Sequence, residues 1–357
     1  MNERLARVRK IMADKGLDGI IITGRSNTYY LSGFTGSTSY LLIGLTKAWL
    51  VVDFRYTIQA KKEAYVGIEA IEHGESFFAT LDQLLGDENI RNIGFEGNNL
   101  SFSEHQKFSA KLTNALKFVS LGCEIDFLRI KKDALEIEAL AQAVRMGDQV
   151  FDHILNIVKP GMRESELAAE IDYQMRKLGA KGPSFDTIVA AGERSAMCHA
   201  EPTGNILKKG DPIVLDFGVI YHHYCSDMTR TLFIGDPGDE MKKIYGIVRD
   251  AQQSALDCLA SGMPARDADK AARSIIAQAG YGNCFGHGLG HGVGIEIHED
   301  PRLSEKSEDI LEDCMVFTVE PGIYVEGLGG VRIEDMVTLS EGKLRNFTAS
   351  AKSMIIL

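Results

Sequence analysis

Four acidic residues lie inside segments that otherwise have the composition of buried strands. They are Asp216 in IVLDFGV, Asp227 in SDMTRTLFI, Glu320 in MVFTVEPGIYV and Glu334 in GVRIEDMVTL. An ionised carboxylate in such a segment loses its hydration, which is very costly unless a cation compensates for it. These four acids therefore need a common explanation.

Two kinds of cation could compensate for these charges. Arg230 and Arg332 are close to the acids in sequence, and ion pairing with arginine would be a sufficient explanation for any one of them. For all four acids together, divalent metal ions explain more, because the acids form two matching pairs. Oxygen ligands at this density, joined by a histidine, are typical of a site for two metal ions bridged by carboxylates.

A glycine-rich segment supplies candidate histidines. Residues 286–294 read GHGLGHGVG, with His287 and His291 between the glycines. Glycine at every second position is incompatible with an ordinary helix or strand interior, and it lets the backbone approach another group closely. The spacing fits neither a dinucleotide-binding motif nor a P-loop. Two further histidines, His199 in MCHAEPTG and His298 in IHE, each precede one pair of acidic strands.

A weak internal repeat explains why the acids occur in pairs. From residue 130 onward, the order helix, Gly-Met turn, helix and acidic strand pair occurs twice, with the turns at Gly161-Met162 and Gly262-Met263. The acids of the second pair follow those of the first at nearly the offset that separates the turns. Two copies with so long a period predict one domain built from two related halves, not a solenoid.

Composition excludes several classes of protein. The 357 residues include 39 basic and 50 acidic ones, and the net charge of −11 argues against binding to a phosphate backbone. No run of about 18 apolar residues could cross a membrane, and the charged segment MNERLARVRKIM is not a secretory signal. Six scattered cysteines without a CxxC pair indicate free thiols. We therefore expect a cytoplasmic protein.

Two domains are expected at this length. In the first part of the chain, short apolar runs alternate with helical stretches, which is an α/β pattern. The charged segment FLRIKKD then precedes a long helical pattern. We predict a smaller α/β domain over residues 1–127 and a catalytic domain over 128–357. The first domain has no acidic or histidine cluster, so packing, dimerisation or roofing of a cleft is its expected role.

The order of the motifs resembles that of a known family. HAEPTG, VLDFG, SDMTRT, GHGLGHGVG, VEPG and RIED follow one another as in the pita-bread metallopeptidases, which include prolidases, aminopeptidases P and methionine aminopeptidases. The resemblance covers about residues 130–357. The segments YLSGF and VDFRY are similar to the accessory domain of prolidases and aminopeptidases P, which methionine aminopeptidases generally lack. The resemblance implies a pita-bread catalytic domain with pseudo-twofold halves, and cleavage before proline.

The resemblance also implies a ligand set for two divalent metal ions. Asp216 matches the chelating ligand of one ion. Asp227 and Glu334 match the carboxylates that bridge both ions, and His291 and Glu320 match the ligands of the second. Manganese is the expected ion, and cobalt and zinc are compatible with these donors. A homodimer is implied by resemblance alone.

Several residues around these ligands match groups that act on the substrate. His199 and His298 resemble the residues that contact the substrate carbonyl and the tetrahedral intermediate. His287 and Arg332 resemble supporting groups. Glu320 matches the group that holds the proton of the attacking water and transfers it.

The chemistry of proline sets the expected substrate. The bond before proline is a tertiary amide without an N–H group, so a pocket for the ring must replace the missing donor. Phe185 is a candidate wall of that pocket, or a core residue. Arg302 is a candidate clamp for the C-terminal carboxylate of a dipeptide, or an exposed arginine without a role.

The expected function is that of an Xaa-Pro dipeptidase. The first alternative is an aminopeptidase P that acts on longer proline-containing peptides. A non-catalytic relative that binds a partner, and a metal-independent hydrolase of the creatinase type, are weaker alternatives, because all five ligand positions are intact.

Overall fold

The computed structural model describes residues 2–357, with side chains from Glu3 onward, so position 1 of the predicted N-terminal domain lies outside the described residues. The chain consists of two compact units, Met1–Arg129 and Ile130–Leu357. The boundary predicted after residue 127 falls close to this division.

The first unit is a mixed sheet with accompanying helices. Its strands are β1 (Gly19–Ile22), β2 (Ser39–Gly44), β3 (Ala48–Val52), β4 (Glu69–Glu72), β5 (Asn92–Glu96) and β6 (Lys117–Leu121). Its helices are α1 (Asn2–Lys15), α2 (Arg25–Ser32), α3 (Thr57–Glu63), α4 (Phe77–Asp87) and α5 (Phe102–Lys111). The strand order is β4-β3-β2-β1-β5-β6. Strand β2 is antiparallel to both of its neighbours, and the other pairs are parallel.

Local sequence accounts for these elements. Strands β1 and β3 are continuous apolar runs, and every residue in them is buried, as expected for strands covered on both faces. Helix α4 begins after Ser76, whose side chain accepts the Ala79 N–H, and α5 begins with a capping box formed by Ser101 and Glu104. Such caps satisfy N–H groups that have no partner inside the helix.

The second unit contains the two halves that the internal repeat predicts. Its helices are α6 (Ala134–Ile157), α7 (Glu164–Lys177), α8 (Asp239–Cys258) and α9 (Ala265–Gln278). The strands of the first half are β7 (Gly182–Pro183), β8 (Ile188–Ala191), β9 (Pro212–Phe217), β10 (Val219–Tyr221), β11 (Tyr224–Cys225) and β12 (Met228–Phe233). Those that follow are β13 (Gly290–Gly292), β14 (Glu299–Leu303), β15 (Val316–Val319), β16 (Gly322–Val325), β17 (Gly329–Arg332), β18 (Asp335–Ser340), β19 (Lys343–Asn346) and β20 (Ile355–Ile356).

Each half places one antiparallel strand pair behind a pair of helices. In the first half, β9 and β12 pair within the sheet β20-β12-β9-β8. In the second half, β15 and β18 pair within the sheet β14-β13-β15-β18-β19. Smaller sheets, β11-β10-β7 and β16-β17, complete the unit. The second unit thus has the mixed α/β, two-halved architecture that was predicted.

Each half also has its own hydrophobic core. One cluster joins α6 and α7 to β9 through residues such as Phe151, Ile171 and Leu215. The other joins α8 and α9 to β15 through residues such as Val248, Ala272 and Phe317. Within residues 2–357, no helix combines the length and the apolar composition that crossing a bilayer would require.

Candidate functional site

The four acids lie at corresponding positions of the two strand pairs. Asp216 is near the end of β9, and Asp227 immediately precedes its partner β12. Glu320 immediately follows β15, and Glu334 immediately precedes its partner β18. All four line a single cavity of about 670 Å³. The repeat therefore brings two acids from each half to one place.

Hydrogen bonds join the two halves directly at this place. The N–H of Glu334 donates to the carbonyl of Thr229, 3.1 Å away. The Thr229 hydroxyl donates to Glu334 Oε2 over 2.7 Å and accepts from Arg332 Nε over 3.0 Å. The position of Glu334 is thus fixed by a residue of the other half.

Three of the acids converge with His291. Asp227, His291 and Glu334 each offer a ligand atom, and these atoms all lie within 4.8 Å of one another. His291 Nε2 is 3.5 Å from Asp227 Oδ2 and 3.4 Å from Glu320 Oε1. His291 Nδ1 is 3.0 Å from the carbonyl of Gly292, which can only accept. Burial lowers the pKa of His291 to about 4, so the ring is neutral, Nδ1 carries the proton and Nε2 offers a lone pair on the side of the acids.

Without a metal ion, the cluster disfavours a state in which all four acids are ionised. Burial, followed by the charges of neighbouring acids, raises the pKa of Asp227 and of Glu334 well above the ordinary values. Burial also raises the pKa of Glu320 to about 7. Asp216 Oδ1 and Glu334 Oε1 are buried and have no hydrogen-bond partner among the described residues. A buried acceptor without a partner costs about 1–3 kcal/mol.

Arginine forms an ion pair with only one of the four carboxylates. Arg332 Nη2 donates to Asp216 Oδ2 in a short ion pair. Arg230, the other arginine considered from the sequence, pairs with Asp335 instead. Among the described residues, the other three acids have no arginine within ion-pair distance. The cluster thus offers carboxylate oxygens and one imidazole nitrogen, and two of these oxygens have no hydrogen-bond partner among the described residues. Such a set of donor atoms fits divalent metal ions.

Burial and a chain of hydrogen bonds fix the protonation state and the orientation of His287, the other histidine of the glycine-rich segment. His287 Nδ1 lies 2.8 Å from the carbonyl of Gly288, and burial lowers the pKa of His287 to about 4. The ring is therefore neutral, and Nε2 accepts from the Tyr324 hydroxyl at 3.0 Å. That hydroxyl in turn accepts from Arg332 Nη1 at 2.7 Å. The chain ends at Asp216, so His287 and Arg332 support an acid of the cluster.

The remaining predicted residues line the same cavity. They are Phe185, His199, His298 and Arg302. The His298 ring packs edge-on against the His291 ring, with 4.4 Å between centroids. Arg302 lies opposite His291 in the pairing of β13 with β14. The structure thus brings every site residue predicted from the sequence to one cavity.

Two residues of this network were not predicted. Tyr324 joins His287 to Arg332, and Thr229 joins Glu334 to Arg332. Tyr324 lies in the apolar run GIYV, where an aromatic residue has the pattern of a core residue. The sequence offered one signal for them: each residue carries a hydroxyl group and lies close in sequence to an acid of the site, Thr229 to Asp227 and Tyr324 to Glu320.

The glycine-rich segment is held against its neighbours as its composition predicts. Asp269 Oδ1 of α9 accepts the Leu289 N–H at 3.0 Å. Arg273, paired with Asp269, donates to the carbonyls of Phe285 and His287 at 2.9 and 2.8 Å. On the other side, Gly290 lies so close to β15 that a Cβ atom there would overlap the carbonyl oxygen of Thr318.

Gly290→Ala is therefore expected to destabilise the protein, and Gly286→Ala is its matched control. A Cβ at Gly286 would meet no atom within 4 Å. Overpacking of this kind costs about 1–3 kcal/mol, whereas an unobstructed surface change costs within about 0.5 kcal/mol. Chemical denaturation of the metal-free proteins would measure both. Equal stability of the two variants would contradict the close approach at Gly290.

Comparisons with known proteins agree with this geometry. The model of metallopeptidase family M24 matches residues 138–341, and that of the creatinase/prolidase N-terminal domain matches residues 4–131. The chain is 37% identical to an Xaa-Pro dipeptidase of Pyrococcus furiosus, over 99% of this chain and 100% of that protein.

Two solved structures are similar over nearly the whole chain. An Xaa-Pro dipeptidase from Bacillus anthracis is 39% identical with a TM-score of 0.97, and the match covers 99% of both chains. An X-Pro aminopeptidase from Thermotoga maritima is 39% identical with a TM-score of 0.90, over 96% of this chain and 98% of that one. With this fold, these matches and a cavity of buried acids, the chain belongs to metallopeptidase family M24.

Proposed function

We propose that the protein is an Xaa-Pro dipeptidase that depends on two divalent metal ions. The observation that carries the proposal is the convergence of three buried carboxylates, the partly buried Glu320 and His291 Nε2 in one cavity, where arginine forms an ion pair only with Asp216. The names of the relatives in Pyrococcus furiosus and Bacillus anthracis support the specificity for proline.

The proposed ligands divide into two overlapping sets. Asp216, Asp227 and Glu334 would hold one ion. His291 and Glu320 would hold the other, which shares Asp227 and Glu334. When bound, such ions lower the pKa of a water molecule and polarise a carbonyl group. Manganese is the proposed ion because the donors are mostly carboxylate oxygens, and cobalt and zinc are the alternatives.

The chain's own groups have distinct proposed roles in hydrolysis. The Thr318 hydroxyl donates to Glu320 Oε1 at 3.2 Å, which orients this carboxylate. Glu320 takes the proton of the attacking water and delivers it to the leaving proline nitrogen. His199 and His298, both at the cavity wall, donate to the scissile carbonyl as negative charge develops on its oxygen. Arg332 holds Asp216 directly, and His287 supports Arg332 through the hydroxyl group of Tyr324.

Residues at the cavity wall would select the substrate. A volume of about 670 Å³ lies within the ordinary range for sites of small molecules, and it suits a short peptide. We propose Phe185 as a wall for the proline ring. Arg302 is the proposed clamp for the free carboxylate of a dipeptide, because no described acid lies within ion-pair distance of its guanidinium.

Arg302→Gln should raise KM for Gly-Pro by about 10- to 100-fold while kcat changes little. Loss of a hydrogen bond between charged groups costs about 1.5–3 kcal/mol, which corresponds to this range. The matched substrate is Gly-Pro amide, which lacks the carboxylate and should bind the wild type and the variant equally. Steady-state kinetics on both substrates test the clamp. An equal rise in KM for the amide would contradict it.

The proposed activity is tested with a defined panel of peptides. Purified protein is freed of metal, reloaded with manganese, cobalt or zinc, and assayed on Gly-Pro, Gly-Ala and Arg-Pro-Pro, with metal content measured in parallel. Preference for Gly-Pro supports the dipeptidase. Preference for Arg-Pro-Pro supports the aminopeptidase alternative, which the similarity to the Thermotoga maritima enzyme favours. No metal-dependent hydrolysis of any of these peptides would refute the proposal.

Three further assignments complete the proposal. Residues 1–127 form the accessory domain and 128–357 the catalytic domain, close to the division between the two units. The protein forms a homodimer, which sedimentation can test. It resides in the cytoplasm, which is consistent with the six free cysteines.

A further inference from the structure

A buried ion pair outside the proposed ligand set lies next to the cavity. Lys132 Nζ is 3.1 Å from Glu299 Oε2, and their side chains are only 1% and 5% exposed. The ammonium group also donates to the carbonyl of Ile130 at 3.1 Å. Removing two charges from water is costly, and such a pair often stabilises less than apolar residues of similar volume. Stability alone therefore gives no reason for charges here.

Lys132 is attached to a rigid part of the fold. Its N–H donates to the carbonyl of Cys314 at 2.8 Å. The next residue, Asp133, caps α6 in a capping box with Glu136. Glu136 in turn accepts from the Tyr224 hydroxyl at 2.8 Å. The ammonium group is thus held at the start of a long helix that is itself fixed at its first turn.

Glu299 organises the segment that leads into β14. Its Oε1 accepts the Glu296 N–H at 3.2 Å. Gly294 packs so closely on this carboxylate that a Cβ atom there would overlap it. The carbonyl of Gly294 accepts the Cys225 N–H at 2.8 Å. Residues 294–299 therefore fold around the Glu299 carboxylate, and Lys132 holds that carboxylate through its Oε2 atom.

His298 precedes Glu299 and lines the cavity. Its ring contacts the His291 ring, but no described residue forms a hydrogen bond with its imidazole. Because no hydrogen bond from a described residue anchors the ring, its position depends on the His291 contact and on the backbone of residues 294–299. That backbone depends on Glu299.

We infer that the Lys132–Glu299 ion pair is a positioning device that holds His298 at the scissile carbonyl, an inference that rests on the proposed function of His298. The pair acts through the backbone and touches no substrate. Misplacement of a reacting group by about 1 Å costs up to about 100-fold in rate. The expected consequence of removing both charges is therefore a loss of kcat with the fold and the metal ligands intact.

The double variant K132M/E299Q tests this inference, because it removes both charges of the pair and keeps an acceptor for the Glu296 N–H. We expect kcat for Gly-Pro to fall by about 10- to 100-fold, with KM and metal stoichiometry unchanged. H298A should reduce kcat in the wild type but have little further effect in K132M/E299Q. The control R249M/D250N, which removes an exposed pair, should leave kcat unchanged.

Hydrogen exchange supplies a measurement that does not depend on activity. Amides of residues 295–299 should exchange at least about tenfold faster in K132M/E299Q, with the remainder of the chain unchanged. E299D keeps the charge but shortens the side chain, and it should show the same faster exchange in residues 295–299. It replaces the double variant in this experiment if the double variant fails to fold. Unaltered exchange in this segment, or additive effects of H298A and the double variant on kcat, would overturn the inference. An inactive wild-type protein would refute the proposed function. Hydrogen exchange would still show whether the ion pair orders residues 295–299.

Discussion

Replacing Asp227 by asparagine is expected to reduce hydrolysis of Gly-Pro by at least about 100-fold and to lower the metal content of the purified protein. Even residues that only orient metal ligands change metal affinity or activity by about 10- to 100-fold. Asp227 lies within the group of donor atoms formed with His291 and Glu334, and it is the proposed bridge between two ions. Metal analysis and steady-state kinetics on the same preparation measure both effects.

The same substitution should leave the fold intact. Burial and the neighbouring acids raise the pKa of Asp227 well above its ordinary value, so the ionised group destabilises the metal-free protein. Because the folded pKa exceeds the unfolded one, this acid makes metal-free wild type less stable as the pH rises above the unfolded value. Metal-free Asp227→Asn lacks that contribution, and its melting temperature at pH 8 should equal or exceed that of metal-free wild type.

Asp236→Asn is the matched control for this experiment. Asp236 is an exposed acid that pairs with Lys242. Its loss should affect neither metal content nor hydrolysis. If Asp227→Asn retained full metal content and full activity, the two-metal proposal would be wrong.

The convergence of the four acids in one cavity could be predicted from the sequence, because burying charge is costly. An acid within a run such as IVLDFGV is already improbable as an isolated feature, and its recurrence in VRIEDMV at a similar offset indicates a shared cavity. Alternating glycines likewise predicted the close approach that the structure shows at Gly290. These signals are local, so they can be recognised in the sequence without knowledge of the fold.

Partners across the two halves could not be predicted in the same way. Arg230 and Arg332 are both close in sequence to acids of the site, yet Arg332 contacts Asp216 and Arg230 contacts Asp335. Which arginine faces the cavity depends on how β9, β12 and β17 pack, and this is a tertiary property. Thr229 escaped prediction for the same reason, because its hydroxyl group gains its partners Glu334 and Arg332 only when the two halves meet. Tyr324 escaped it because its partners, His287 and Arg332, come from other segments of the second half.

Arg230 occupies a buried network behind Glu334. It is 2.8 Å from Asp335 Oδ1, and the two side chains are 1% and 0% exposed. It donates to the Glu334 carbonyl and, at 2.7 Å, to that of Ser350. Burial alone would raise the pKa of Asp335, but the charges of Arg230 and Lys352, together with hydrogen bonds from Lys352 and Gln252, hold that pKa below its ordinary value.

Arg230→Met is therefore expected to lower the free energy of unfolding by about 3–5 kcal/mol, because it leaves a buried carboxylate with less compensation and several carbonyls without a donor. Arg249→Met is the matched control, since it removes an Arg–Asp pair whose side chains are 51% and 60% exposed. Exposed pairs contribute about 0–1 kcal/mol. Denaturant titration of both variants measures the difference. Similar losses in the two would show that Lys352 and Asn346, which also contact Asp335, suffice to compensate its charge.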